Sequence, residues 1–256
     1  MILGASSGFG AACARELAAR GMNIAGVHLD RRAQRQAVAD LTGELLEHGV
    51  EVRFFNANAA AAETRAAVTD FLRTATGGGK PPLGIVLHSL AFGALRPFTA
   101  ASPAERVSRE QLEMTLDVMA SSLVYWVQDL LAAELLGGGT RIFAMTSLGS
   151  SRAWPGYGPV SAAKAALESN VRQLALELAA HGITVNALRA GVTMTPALAQ
   201  IPGHERMIAV AEARNPSGRL TRPEDVARAV AALAAPETAW ITGNVIAVDG
   251  GESIVA

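Results

Sequence analysis

The stretch MILGASSGFGAACARELA (1–18) decides the fold. Three apolar residues lead into glycines at 4, 8 and 10, and an Ala-rich helical segment follows at once. Glycines at a strand–helix junction let the backbone bend tightly, and they bring an anionic group against the positive N-terminus of the helix. The spacing is GxxxGxG, not GxGxxG, but the physical logic is shared. The leading strand is only about three residues long here, against the usual ~5–6. Either the strand is truncated or the true start lies upstream.

Outward from that junction the chain alternates. Short apolar, β-branched runs occur at 23–29, 50–55, 83–89, 140–147, 183–188 and 244–250, separated by helix-like segments at 9–20, 32–48, 62–75, 104–136, 159–181 and 223–235. Strands joined by helical crossovers imply a parallel sheet with helices on both faces. Such strands read as continuous apolar runs because both faces are covered. Pro223 followed by Glu224 and Asp225 suits a helix start. The breaks TGGGKPP (76–82) and GGGT (137–140) are too short for domain linkers. The expectation is an α/β protein: one doubly wound, Rossmann-type domain over residues 1–256.

Composition narrows the function classes. With 50% hydrophobic and 18% charged residues, the 256-residue chain reads as well packed. A net charge of −1 leaves no electrostatic footprint for nucleic acid. The single cysteine, Cys13, excludes internal disulfides and cysteine-based metal sites, and the five histidines show no ligand spacing, so no metal is expected. No apolar run approaches the ~18 residues of a membrane span, and no signal-peptide layout is present. A soluble cytoplasmic protein is expected.

The stretch YGPVSAAK (157–164) carries the chemistry. It holds one of two tyrosines and one of two lysines in a chain whose other 20 Lys/Arg positions are all arginine. An ammonium is a compact point charge, whereas a guanidinium is a planar fork, so a retained Lys164 signals a site arginine does not fit. Tyrosine ionises near ~10 when unperturbed, and a nearby ammonium favours the ionised form.

Together, GASSGFG (4–10), the Tyr157/Lys164 pair and the tail GNVIAVDGG (243–251) resemble the short-chain dehydrogenase/reductase superfamily. Most members place Tyr four residues before Lys, where this chain has Val160. The seven-residue spacing resembles the divergent enoyl-acyl-carrier-protein reductase branch. VLHSLAFG (86–93), AKAALESNVRQLALEL (163–178), ITVNALRAG (183–191) and NPSGRLTRPEDVA (215–227) agree, so the similarity runs from Gly4 to the C-terminus.

The resemblance implies roles residue by residue. Gly4, Ser6, Ser7, Gly8 and Phe9 would form the phosphate turn. Asn58 would contact adenine; Ser89 and Ala91 would line the ribose and nicotinamide; Val192 and Thr195 would bind carboxamide and pyrophosphate. Tyr157 would donate to the thioester oxygen, with Lys164 on the nicotinamide ribose. Ser147, ten residues before Tyr157, matches the family's active-site serine, either as a second donor or as support for the strand end. This serine resembles an NADPH-using bacterial branch. Met119 stands where ordinary members carry asparagine. Phe92, Leu95, Trp154, Met194 and Ile201 are expected in the substrate pocket, covered by the segment 195–213. His88 reads as a packed histidine, not a base.

Arg31 and Arg32 follow the second strand, where an adenosine 2′-phosphate would lie, so NADPH is expected over NADH despite Asp30 beside them. The leading expectation is an NADPH-dependent reductase of enoyl thioesters, on acyl carrier protein. The alternatives are a short-chain ketone reductase and a non-catalytic NADP(H) sensor. The resemblance implies that the long helices at about 104–136 and 159–181 pair across two-fold axes, with a further contact from the C-terminal strand. Their apolar residues all round (LVYWV, 123–127, for example) agree, and a homotetramer is expected.

Overall fold

The computed structural model describes residues 1–75 and 83–255, so the TGGGKPP run lies outside the described residues. Seven strands form where apolar runs stand in the sequence: β1 (Ile2–Leu3), β2 (Ile24–His28), β3 (Val52–Asn56), β4 (Ile85–His88), β5 (Arg141–Ser147), β6 (Thr184–Ala190) and β7 (Val245–Val248). All pair in parallel, in the order β3-β2-β1-β4-β5-β6-β7. β1 is two residues long, yet it is buried inside the sheet and paired on both sides. Its shortness is offset by position, since its neighbours supply the ladder.

Helices α1 (Gly8–Ala18), α2 (Arg35–Leu46), α3 (Ala62–Ala75), α4 (Arg109–Leu116), α5 (Ser122–Ala132), α6 (Gly158–Leu178), α7 (His204–Arg214) and α8 (Pro223–Leu233) cover the sheet. Ile2 and Leu3 point to opposite faces, as alternation in a strand requires, and each joins a different core. Leu3 packs with Leu123, Trp126 and Leu130 of α5 and with Leu167 and Val171 of α6. Ile2 packs with Leu17 of α1, Leu45 of α2 and Val226 and Val230 of α8. Each such fully buried aliphatic side chain contributes roughly 1.5–3 kcal/mol.

The long helix expected over 104–136 starts later and is interrupted. Ser108 caps α4 by accepting from the Gln111 N–H, while the Gln111 side chain accepts from the Ser108 N–H. This capping box fixes the start. A π-helical turn at Asp117–Ser121 then separates α4 from α5. The helix stops at Ala132, and Glu134 follows with φ 58°. The apolar run 123–127 is largely satisfied within the chain: Leu123, Trp126 and Val127 are buried, and Tyr125 packs under the Arg65 guanidinium. Among the described residues, no helix is long and apolar enough to cross a membrane, and no group of three or more His, Cys, Asp or Glu could hold a metal ion.

Candidate active site

The chain runs from β1 outward to β3, then returns to place β4 on the other side of β1. In doubly wound sheets, the crevice at the carboxyl ends of the strands around such a switch point is where ligands bind. A cavity of about 650 Å³ opens there. It brings Tyr157, Lys164 and Ser147 together on one wall.

Helix α6 sets the spacing. Tyr157 is its N-cap, Gly156 takes φ 73° to turn the chain into it, and Pro159 occupies the first turn. Seven residues are about two turns, so Tyr157 and Lys164 share one face. Val160 between them is buried. The Lys164 Nζ donates to the Met145 carbonyl at 2.6 Å and to the Leu90 carbonyl at 3.4 Å, tying α6 to β5 and to the segment after β4. Burial pulls this ammonium down to about 8, partly offset by Glu168 one turn further on. Burial raises the Tyr157 phenol above its ordinary value, against an opposing hydrogen bond from Ser147. The Ser147 Oγ also accepts from the Gly149 N–H at 3.2 Å.

His88 is fully buried. The Ser122 hydroxyl donates to the Val118 carbonyl and accepts from His88 Nε2 at 2.8 Å. Burial, and then the Lys164 charge, push His88 down to about 3, so it is a neutral, packed residue at physiological pH. The π turn places Met119 in the cavity lining.

Phe9, Ser89, Ala91, Val192 and Thr195 all line the cavity. So do Phe92, Leu95, Trp154 and Ile201, whereas Met194 is 63% exposed and does not. A residue between two inward-facing neighbours on an extended segment points the other way. Residues 195–213 form a 3₁₀ turn (Leu198–Gln200) and most of α7, and several of them wall the cavity. Arg31, Arg32 and Asn58 are exposed beyond the ends of β2 and β3, outside that lining. The Asn58 Oδ1 accepts from the Ala60 N–H, closing the turn into α3.

Whether a dinucleotide fits can be tested on the glycine turn. Gly4 has φ 83°, and a Cβ there would stand 2.4 Å from the Ser89 carbonyl oxygen. A Cβ on Gly10 would stand 1.9 Å from the Gly4 oxygen. Only glycine permits this close approach of helix to turn. Ser7, the N-cap of α1, makes no side-chain cap bond, and the first turn holds no acidic residue. The leading N–H groups of α1 therefore remain available to a phosphate.

Three charged residues of the cavity lie outside the sequence expectations: Arg152, Arg214 and Glu252. The Glu252 Oε2 accepts from the Val192 N–H at 3.0 Å, and burial raises its carboxyl above the usual range. A signal was present, because Glu252 directly follows the VDGG tail.

A parallel 3-2-1-4-5-6-7 sheet with a glycine turn after β1 and a Tyr/Lys pair on α6 defines the short-chain dehydrogenase/reductase class. The chain belongs to the enoyl-(acyl carrier protein) reductase family, whose sequence profile matches residues 4–253. It is 36% identical over 150 residues to the enoyl-acyl-carrier-protein reductase (NADH) of Escherichia coli, a match over 59% of this chain and 56% of that protein. The chain thus spans little more than half the length of that relative. It is 28% identical over 258 residues to 3beta-hydroxysteroid dehydrogenase 1 of Eggerthella lenta, covering 99% of this chain and 93% of that one. Among solved structures, the enoyl-acyl-carrier-protein reductase (NADH) of Aquifex aeolicus superposes with a TM-score of 0.83 at 26% identity, covering 100% of this chain and 96% of that one.

Proposed function

We propose that this protein reduces the 2,3 double bond of enoyl thioesters with a nicotinamide dinucleotide. The observation that carries the reading is the Tyr157/Lys164 pair, two turns apart in a largely apolar cavity, with Val160 buried between them. The dinucleotide, when bound, supplies a hydride. The glycine turn and the α1 N-terminus would hold its phosphates, and Lys164 its ribose.

Addition of hydride at the β-carbon of an enoyl thioester leaves negative charge on the thioester oxygen, two carbons away. A ketone instead develops charge on the oxygen of the attacked carbon, so its donor must sit closer to the hydride. Moving a donor three places along a helix shifts it by ~4.5 Å. Tyr157 supplies the farther donor, and Val160 at the vacated position has no proton to give. A neutral phenol, kept protonated by burial, stabilises the enolate most in the transition state. Lys164 holds positive charge beside it. Ser147 acts as a second donor or holds Tyr157 in place. Residues 195–213 cover the acyl group, whose carrier is acyl carrier protein.

NADPH is the preferred cofactor in this reading, although the Escherichia coli and Aquifex relatives carry NADH in their names. Its support is local. Arg31 and Arg32 are exposed after β2, and the Asp30 carboxylate beside them is tied back to His28 Nδ1 at 2.9 Å. Assembly as a tetramer is supported by Leu176 on α6 and Trp240 before β7, which are 73% and 95% exposed. The ketone-reductase reading keeps one observation in its favour, Ser147 and Tyr157 side by side in the cavity lining.

The direct test mixes protein, NADPH and crotonyl thioester and follows the loss of reduced-nicotinamide absorbance. Turnover is expected, with Tyr157→Phe lowering it by roughly 10²–10³. No turnover, or a fully active Tyr157→Phe, would refute the reading.

A further inference from the structure

Three arginines converge on the turn that follows β7. The Arg152 Nη2 donates to the Ser253 carbonyl at 3.1 Å, the Arg189 Nη2 to the Ser253 hydroxyl at 3.3 Å, and the Arg214 Nη2 to the Val255 carbonyl at 2.7 Å. Among the described residues, the carboxylates of Asp249 and Glu252 stand at that turn, and the Glu252 charge acts on Arg152 and Arg214. The Asp249 carboxylate accepts from the Gly251 and Ser253 N–H groups, and that of Glu252 from Val192. None of the three arginines makes an ion pair among the described residues. Two of them, Arg189 and Arg214, bury an Nε that has no hydrogen-bond partner.

Clamping the chain end uses one donor from each guanidinium, and a guanidinium has five. Arg214 is half-buried with its Nε enclosed and Arg152 is exposed at the cavity edge, so both keep donors free for an anion beside Glu252. Arg152 and Arg214 line the cavity. They reach it from the segment after β5 and from the end of α7, beside the turn that follows β7, while the glycine turn lies after β1. β1 is separated from β7 by three strands. The anion that fits them is therefore not the dinucleotide phosphate.

We propose that Arg152 and Arg214 form a carboxylate subsite at the β6–β7 side of the cavity. It would take acyl groups that carry a second, free carboxylate. This deepens the reading of the cavity as an acyl site and rests on it. Arginine binds a carboxylate through two parallel N–H donors, and the low-polarity walls strengthen the pairing.

Calorimetric titration of the full chain with hexanoate and with hexanamide, alone and with saturating NADPH, tests it and needs no turnover. Failure of the enoyl-reductase reading is thus distinguishable from failure of the subsite. Hexanoate is expected to bind at least about tenfold more tightly than hexanamide, and to stay bound when NADPH is saturating. Arg214→Gln and, independently, the more exposed Arg152→Gln should each shrink that ratio, and Arg214→Lys should restore part of it. Equal affinity for acid and amide, an unchanged ratio in both glutamine variants, or displacement of hexanoate by NADPH would overturn the proposal.

Discussion

The ring of Tyr157 lies against Gly149: a methyl group built on Gly149 would stand 2.4 Å from Tyr157 Cε1 and 3.1 Å from the Ser147 Oγ. Gly149 thus sets the position of the phenol although it has no side chain of its own. Gly149→Ala should lower the turnover of crotonyl thioester by ~10-fold or more, because a small misplacement of a catalytic group is costly. Its thermal midpoint should change less than its turnover, since the Leu148–Ser150 turn is half-buried and lies outside the core. Steady-state kinetics beside a melting curve check both halves.

Lys164 gives a pH dependence. Its ammonium is pulled down to about 8 from 10.5, so it is protonated below that pH and neutral above it. NADPH affinity should therefore hold below pH 8 and weaken as pH rises through it. Lys164→Met should bind weakly at every pH and lose the step. Fluorescence titration of NADPH across pH 6 to 10 measures this. The groups facing Lys164 are Tyr157, His88 and Glu168. His88 is neutral throughout that range, and Tyr157 is raised further from it.

Cofactor choice has its own test. Replacing both Arg31 and Arg32 by alanine should cost NADPH about tenfold or more in kcat/KM, the scale of a charge-assisted hydrogen bond, and leave NADH nearly unchanged. Asp30→Asn should change the ratio less, because its carboxylate is already engaged by His28.

Stability has a local acid-sensitive element at the start of α8. The Asp225 carboxylate accepts from Arg219, from the Arg222 N–H and from Arg228. The Arg219 hydrogen bond leads in holding it at about 2, below the ordinary 3.8. A carboxyl depressed in the fold contributes stability that is present above its unfolded value and lost as pH falls through the folded one. Asp225→Asn should thus cost ~1 kcal/mol at pH 7, as a lost helix cap does, with the gap between variant and parent closing as pH falls from about 4 to 2. Denaturant unfolding at pH 7 and pH 3 measures it.

Much of this was legible in advance. The strands were visible because most are largely apolar or β-branched runs bounded by turn residues, and the glycine turn because only glycine permits its contacts. Tyr157 and Lys164 stood out through the scarcity of both residue types. The π turn at Asp117–Ser121 was not legible. Its slipped hydrogen bonds are decided by tertiary packing, where Gly93 admits Thr115 and Met119 closely. The late start of α4 was legible but missed, since Ser108 and Gln111 spell a capping box. Met194 failed because an apolar residue beside the pocket motif need not face inward. The arginine cluster was hidden because residues 152, 189, 214 and 252–255 meet only in the folded chain.

The measurement that tests the central claim most directly compares two thioesters on one carrier. Purified protein with NADPH is offered crotonyl thioester, which presents a double bond, and acetoacetyl thioester, which presents a ketone. The displaced Tyr157, with Val160 where a nearer donor would stand, calls for crotonyl kcat/KM to exceed acetoacetyl by ~100-fold or more, the scale of one well-placed donor. Faster reduction of the acetoacetyl thioester would contradict it, and the protein would then be a ketone reductase.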